Sequence, residues 1–371
     1  MQICIDFRPA LHQSTGVGTY VRGLLQGLLQ QHPEHRYTAF SASWKHRVQA
    51  PPSIAEVRFV DVRLPVRALD WLWHRHCWPP IETWVGNQDI VHSPSPMPIP
   101  TRGARQIVTV HDCYFLRHPD QVTGPMRRDY ARYLRRSLDR ADAVMTNTQT
   151  TRQELLQALD VAADKVHVTP LGVDPVFEYA TAPQLPAHLE LPSRYLLFVG
   201  RREPRKDPAT LLAAFDRIAR QHPEMALLLV GPEGLGWQAH WGRTSDRVRN
   251  ATRCLGHQSP RSLAAIYSHA EALLLPSRWE GFGLTAIEAM AMGTPVIAAR
   301  AGALPEVLGN APMWFDVGDD RALADACMTL LHDQNLRARL SGAGRKRAAR
   351  YRWSHTADLT HEVYRHLQAT M

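Results

Sequence analysis

The sequence predicts an α/β protein of two domains, each built on a parallel sheet. Three observations carry this. The chain has 371 residues, more than one typical domain holds and enough for two. Short apolar runs of strand length alternate with segments whose apolar residues recur at three- and four-residue spacing, and this alternation begins twice, at Gln2 and again at Tyr195. Between the two series lies 175–192, rich in proline and poor in periodicity, which reads as a linker. The first domain is therefore placed at 1–178 and the second at 193–351.

Gln2 to Phe7 is the first expected strand. After a loop, Gly16-Val17-Gly18-Thr19-Tyr20 opens a helix with Tyr20, Val21, Leu24, Leu25 and Leu28 on its apolar side. A dinucleotide fingerprint would place its glycines in a tight turn directly after the strand. Here the glycines come late and the third is displaced to Gly23, which argues against a nicotinamide site. Gly16 and Gly18 read either as a ligand-facing glycine loop or as flexibility at a helix start.

Further strands are expected at Tyr37–Phe40, Val57–Val60, Ile90–His92, Gln106–Val110, Ala143–Thr146 and Val166–Thr169. Between Arg63 and Trp84, Trp71, Trp73, Trp78 and Trp84 mix with Arg67, His74, Arg75 and His76. This segment suits a membrane interface or a helix whose tryptophans enter the core. Pro125 to Asp142 reads as a helix with Tyr130, Tyr133, Leu134 and Leu138 on one side and six arginines around the rest. Its basic face suits an anionic membrane surface or plain solvation. The Gln106–Val110 strand ends in His111-Asp112, at the carboxyl edge where open α/β sheets bind ligands.

The second half repeats the alternation. Tyr195–Val199 leads into Gly200-Arg201-Arg202-Glu203-Pro204-Arg205-Lys206, then a helix with Asp207 as N-cap and Pro208 at its first position. Cations in a strand-to-helix loop beside a helix N-terminus are placed for phosphate. Ala226–Val230, Thr252–Leu255, Ala272–Leu275, Val296–Ala298 and Met313–Phe315 are the remaining strands.

The most informative stretch is Glu271–Ala298. It holds a strand, a loop Glu280-Gly281-Phe282-Gly283, a helix from Leu284-Thr285 onward, and another strand. Its glycines let backbone N–H groups approach an anion, and the helix start adds free N–H groups and a positive dipole end. A diphosphate suits that place. Glu280 and Glu288 flank it. A carboxylate would repel the diphosphate, so both are better suited to accept hydrogen bonds from neutral hydroxyls.

Glu280 and Glu288, separated by seven residues with Gly-Phe-Gly-Leu between them and Gly-Thr-Pro-Val-Ile after, resemble the E-x7-E motif of retaining glycosyltransferases of family 4 (glycosyl transferases group 1). The His111-Asp112 pair, Gly172-Val173-Asp174 and the Gly-Arg…Arg-Lys loop resemble the same family. The likeness spans nearly the whole chain and is sharpest in the second half. It implies a GT-B fold, two Rossmann-like domains facing a cleft, the first binding acceptor and the second the nucleotide sugar. It also implies that a C-terminal helix, about 352–371, carrying Trp353 and Tyr364, returns to the first domain.

By the same resemblance, Arg201 and Lys206 hold the donor diphosphate and stabilise the leaving group. His111 contacts the donor sugar, and Asp112 orients it or caps the next loop. Gly281, Phe282, Gly283, Leu284 and Thr285 line the donor site, Glu280 positions the sugar hydroxyls, and Glu288 holds the ribose. The Gly256-His257 backbone edges the base. Gly16 and Gly18 face the cleft near acceptor or phosphates. No cofactor or metal is expected, since no Asp-x-Asp stands in such a loop. The segments Asp6-Phe7-Arg8, Thr15 to Tyr20 and Glu203 to Lys206 look most like bacterial mannosyltransferases of polysaccharide assembly. That suggests GDP-mannose as donor, with UDP-hexose as the alternative, and a polyprenyl-diphosphate-linked sugar as acceptor. A sugar-nucleotide-binding protein without turnover is the competing class.

Composition sets outer limits. The apolar fraction is 44% and the net charge +8, the excess being arginine. This favours an anionic partner, and the absence of zinc-finger or RNA-binding signatures turns that preference from nucleic acid to a nucleotide sugar and a membrane surface. No run of 18 apolar residues suggests a spanning helix. MQICIDFRPA reads as a strand rather than a signal peptide. The five cysteines lack metal or disulfide spacing, as expected of reduced, mostly core residues. The expected location is cytoplasmic, peripheral on the inner membrane face.

Overall fold

The computed structural model describes all residues except 12–14, 46, 49–51, 98, 123–130, 178–188 and 370–371. The chain divides into two compact units, Met1–Gly172 with Arg352–Met371, and Val173–Tyr351. The first unit thus ends at Gly172, before the 175–192 stretch read as linker, of which 178–188 lie outside the described residues.

The first unit is a seven-stranded sheet, every pairing parallel. Its strands are β1 (Gln2–Asp6), β2 (Arg36–Ala42), β3 (Arg58–Val62), β4 (Ile90–Ser93), β5 (Arg105–Val110), β6 (Ala143–Thr146) and β7 (Val166–Val168), in the order β3-β2-β1-β4-β5-β6-β7. The second unit is a six-stranded parallel sheet of β8 (Tyr195–Val199), β9 (Ala226–Val230), β10 (Thr252–Gly256), β11 (Ala272–Leu275), β12 (Val296–Ala299) and β13 (Met313–Phe315), in the order β10-β9-β8-β11-β12-β13. Strands buried on both faces read as continuous apolar runs. β8 and β11, Tyr-Leu-Leu-Phe-Val and Ala-Leu-Leu-Leu, are buried at every position. In each sheet the strand order reverses once, between β1 and β4 and between β8 and β11. Loops leaving the carboxyl ends of those strands diverge and open a crevice.

The C-terminal helix, Trp353–Ala369, packs in the first unit against the Gly16–Gln31 helix. Glycine makes this approach possible. A Cβ on Gly23 would stand 2.1 Å from the Trp353 indole, and one on Gly27 2.5 Å from the Trp353 carbonyl. The displaced third glycine therefore serves helix packing. Thr356 Oγ1 donates to the Pro170 carbonyl at 2.6 Å, and the Tyr364 hydroxyl lies 2.7 Å from His92 Nδ1.

The tryptophan-rich segment is buried only in part. Trp73 is buried beside Phe40 and Leu69, whereas Trp71 and Trp78 are 60% and 63% exposed. The arginine-rich helix is described from Ala131 to Arg140. Leu134 and Leu138 enter the core, and Arg135, Arg136 and Arg140 lie outside that side. Pro125–Tyr130, and with them Arg127 and Arg128, lie outside the described residues. The five cysteines are free thiols, three of them buried; Cys254 is exposed and Cys77 half-buried.

Candidate active site

The crevice of the second sheet is built by two loops. The first follows β8. Gly200 and Gly231, at the ends of β8 and β9, both have positive φ, and a Cβ on Gly231 would stand 2.5 Å from the Gly200 carbonyl. The two turns can nest only because both residues are glycine. The loop then turns through Pro204–Lys206 to Asp207, whose carboxylate accepts from Thr210 N at 3.3 Å and so caps the Pro208–Gln221 helix. This capping fixes the direction in which Arg205 and Lys206 leave the backbone.

The second loop follows β11 and carries Ser277 and Glu280. A Cβ on Gly302 would stand 2.4 Å from the Glu280 carbonyl, and Ala303 N donates to that carbonyl at 2.9 Å. The backbone of Glu280 is thereby pinned. Its carboxylate receives Lys206 Nζ and Ser277 Oγ (2.7 Å) on Oε1, and Arg205 NH1 (3.0 Å) on Oε2. Glu280 is 5% exposed and Lys206 8%. Burial raises the Glu280 pKa, but Lys206 and Arg205 outweigh it and hold the group at about 2. Glu280 is thus an ionised carboxylate fixed between two cations at the switch point of the sheet.

Gly283, at φ 93°, begins the Leu284–Ala291 helix with no side chain capping it. The first-turn amides of Leu284 and Thr285 therefore point outward along the helix dipole. Gly281 and Phe282 are buried, and Phe282 packs edge-on to Tyr351 at 5.4 Å. One turn further on, Glu288 accepts from the Tyr267 hydroxyl at 3.1 Å. Burial raises its pKa to about 8; Tyr267 opposes the rise and Asp174 adds to it. The two glutamates, alike in burial, are held in opposite protonation states at neutral pH.

Arg201 is exposed and reaches the Glu233 carbonyl at 3.4 Å. Its neighbour Arg202 is buried, bonds the Gly231 carbonyl at 2.8 Å and lies over the Trp237 ring. Arg202 therefore builds the loop, while Arg201 keeps its head in water.

In the first unit, His111 leaves the end of β5 as anticipated. Its Nε2–H donates to the Pro94 carbonyl at 2.9 Å, which fixes the tautomer, and Nδ1 accepts from Asn147 Nδ2 at 2.8 Å. Burial lowers its pKa, against the opposing pull of the Pro94 carbonyl and Asp112. Asp112 accepts from Tyr114 N at 3.1 Å, a cap on the following turn. Gly16 is exposed at the start of its helix, and Gly18, buried, donates its N–H to Thr15 Oγ1 at 3.1 Å.

Three participants carry no sequence signal of their own: Ser277, Tyr267 and Asn147, the last of which follows β6 as His111 follows β5. Asp319, of the Asp319-Asp320 pair, caps the Asp320–His332 helix, and Asp320 pairs with Arg217 at 2.7 Å.

Comparison with known proteins bears on the family and the fold. The model of Glycosyltransferase Family 4 matches residues 14–177, and that of Glycosyl transferases group 1 matches 186–347. A D-inositol 3-phosphate glycosyltransferase of Stackebrandtia nassauensis is 35% identical over 233 residues, 59% of this chain and 52% of that protein. The O-antigen chain mannosyltransferase B of Escherichia coli is 28% identical over 282 residues, 74% of each chain. The first two curated relatives are thus matched over 52% and 66% of their own length. Among solved structures, sucrose-phosphate synthase from Thermosynechococcus elongatus has the same fold, with a TM-score of 0.76 and 21% identity over 100% of this chain and 99% of that one. Anabaena HepE in complex with UDP and glucose superposes with a TM-score of 0.69 at 16% identity, over 98% of this chain and 99% of that one. Two parallel sheets and two family models that together span nearly the whole chain make this protein a homologue of the family 4 and group 1 glycosyltransferases, with their GT-B fold.

Proposed function

We propose that this chain transfers a hexose from a nucleoside-diphosphate sugar to an acceptor hydroxyl with retention of anomeric configuration. The observation that carries the reading is Glu280 held by Lys206, Arg205 and Ser277 beside an uncapped helix start. Breaking the anomeric bond develops positive charge on the sugar ring and negative charge on the diphosphate. Lys206 has three donors and gives one to Glu280; the others, with Arg201 and the Leu284 and Thr285 amides, receive the diphosphate. Glu280, ionised, accepts hydrogen bonds from the sugar hydroxyls, and Glu288, protonated, bonds the ribose hydroxyls. His111 is assigned to a hydroxyl of the sugar by the family resemblance alone. The acceptor attacks on the face the diphosphate leaves, and the departing phosphate takes the acceptor's proton. Lys206, Arg201 and the helix-start amides offset the negative charge of the departing diphosphate, a role that asks for no metal.

GDP-mannose is the proposed donor, supported by the relative named as a mannosyltransferase over 74% of each chain; a UDP-hexose is the alternative. A polyprenyl-diphosphate-linked sugar is the proposed acceptor, supported by the exposed Trp44, Trp71 and Trp78 and by the exposed Arg135, Arg136 and Arg140 of the first unit. These would dock on the inner face of an anionic membrane. No helix among the described residues is long and apolar enough to cross a membrane. A phosphorylated polyol is the second acceptor class, favoured by the name of the relative at 35% identity.

The test is nucleoside-diphosphate release from GDP- and UDP-sugars, with lipid-diphosphate and phospho-polyol acceptors, for the parent and Glu280→Gln. Acceptor-dependent release from one donor, reduced about 10²–10³-fold in the variant, supports the reading and names both substrates. Tight donor binding without release across a broad acceptor panel identifies a binding protein instead.

A further inference from the structure

The first unit gathers three histidines and two carboxylates where the Gly16–Gln31 helix ends and the C-terminal helix passes. His32 terminates the first helix. Its Nε2–H donates to Asp358 Oδ1 at 3.1 Å, which leaves the Nδ1 lone pair 3.8 Å from Glu34 Oε1. His361 stacks on His32 with ring centroids 3.7 Å apart. His35 Nε2 lies 2.9 Å from His361 Nε2 and 3.3 Å from Glu34 Oε1. Two ring nitrogens that close cannot both carry protons in neutral rings without repulsion, so one offers a lone pair. The Met1 amine, 3.3 Å from His35 Nδ1, donates there and assigns the Nε2 proton to His35 and the lone pair to His361. One ligand atom each from His32, Glu34 and His361 lies within 4.8 Å of the others.

We infer that His32, Glu34 and His361 form a binding site for one divalent transition-metal ion of the zinc type. Two imidazoles and a carboxylate, with water completing a tetrahedron, is a donor set that zinc accepts. Magnesium and calcium, which prefer all-oxygen shells, are disfavoured. Asp358 acts on His32 as carboxylates commonly act on metal-bound imidazoles, fixing the tautomer and raising its basicity. When the ion takes the His361 lone pair, the His35 Nε2–H is released from it and turns to Glu34 Oε1, 3.3 Å away, orienting that carboxylate. Glu34 and Asp358 are 57% and 49% exposed, so the ion has a route in. None of these residues takes part in the proposed transfer. The ion would tie the C-terminal helix to the end of the first helix, bridging segments far apart in sequence.

The experiment treats the full chain with a chelator, removes it, and titrates zinc by calorimetry, with cobalt in parallel for its visible d–d bands and magnesium as a control. The expected result is one zinc per chain, tetrahedral cobalt bands, no magnesium heat, and a rise in Tm on adding zinc. Glu34→Gln and His361→Gln should lose the equivalent, and Asp358→Asn should weaken it about 10–100-fold. Metal-free Tm values checked against the metal-free parent confirm folding. Since Glu34 is exposed, its variant keeps the test decisive if His361→Gln misfolds. Absence of stoichiometric zinc in the parent, or unchanged zinc in Glu34→Gln, overturns the site.

Discussion

Glu280 and Glu288 sit eight positions apart in the sequence and are both buried, yet one is held at about 2 and the other at about 8. Burial raises both. The difference lies in neighbours: Glu280 has two cations, Glu288 a phenol and, farther off, the Asp174 carboxylate. The consequence for stability has opposite signs. Glu280, depressed below its unfolded value, contributes stability above roughly pH 4.5 that is lost as pH falls toward 2. Glu288, raised, makes the fold progressively less stable as pH climbs from about 4.5 to about 8, because the unfolded chain ionises first. In Glu288→Gln that slope disappears while the Tyr267 hydroxyl keeps an acceptor. Thermal unfolding from pH 5 to 8.5 should show the variant gaining on the parent as pH rises. A constant difference in Tm across this range would rule out the raised pKa.

At the scale of elements, helix propensity and helix packing make opposite claims on Gly23. An Ala there would favour the Gly16–Gln31 helix by about 1 kcal/mol. Its Cβ, however, would stand 2.1 Å from the Trp353 indole, and overpacking of that kind costs about 1–3 kcal/mol or more. Packing wins, because the indole is wedged between the two helices and Gly172 and has no room to withdraw. Gly23→Ala should therefore lower Tm, and Trp353→Phe in the same background should restore part of the loss. If the single variant matches the parent in Tm, the two helices do not pack as described. The β8 and β11 loops obey the same logic: close backbone approach at Gly231 and Gly302 decides where the polar side chains can go.

At the scale of the molecule, the first unit includes residues from both ends of the chain, and its cooperativity depends on that closure. Tyr364 and Thr356 satisfy His92 and the Pro170 carbonyl; without the last helix those buried groups and the apolar side of the Gly16–Gln31 helix would face water. Removing Arg352–Met371 should unfold or severely destabilise residues 1–172 while the parallel sheet of 173–351 keeps its protected amides. Hydrogen exchange read by mass spectrometry distinguishes the two units. Equal loss of protection in both, or in neither, would contradict the division.

Among the described residues, the sequence by itself determined the thirteen strands to within one or two residues at their ends; central strands such as β8 and β11 are short, unbroken apolar runs because both their faces are buried, whereas β3 and β10 are only partly buried and less regular. It determined the glycine loop before Leu284 and the cationic loop after β8 for a similar reason: turn residues and charges at strand ends are local signals. The partners of the site are not local. Glu280 and Lys206 meet only because the sheet places β8 beside β11, and Arg205 joins them only because the Asp207 cap turns the chain there. The sequence placed Lys206 for phosphate; the tertiary structure shows it already committed in part to Glu280. The protonation states of Glu280 and Glu288, the bonding of both His111 nitrogens and the His32–Glu34–His361 cluster likewise follow from burial and from contacts between distant segments. No residue type or spacing encodes these, since desolvation and proximity exist only once the chain has folded.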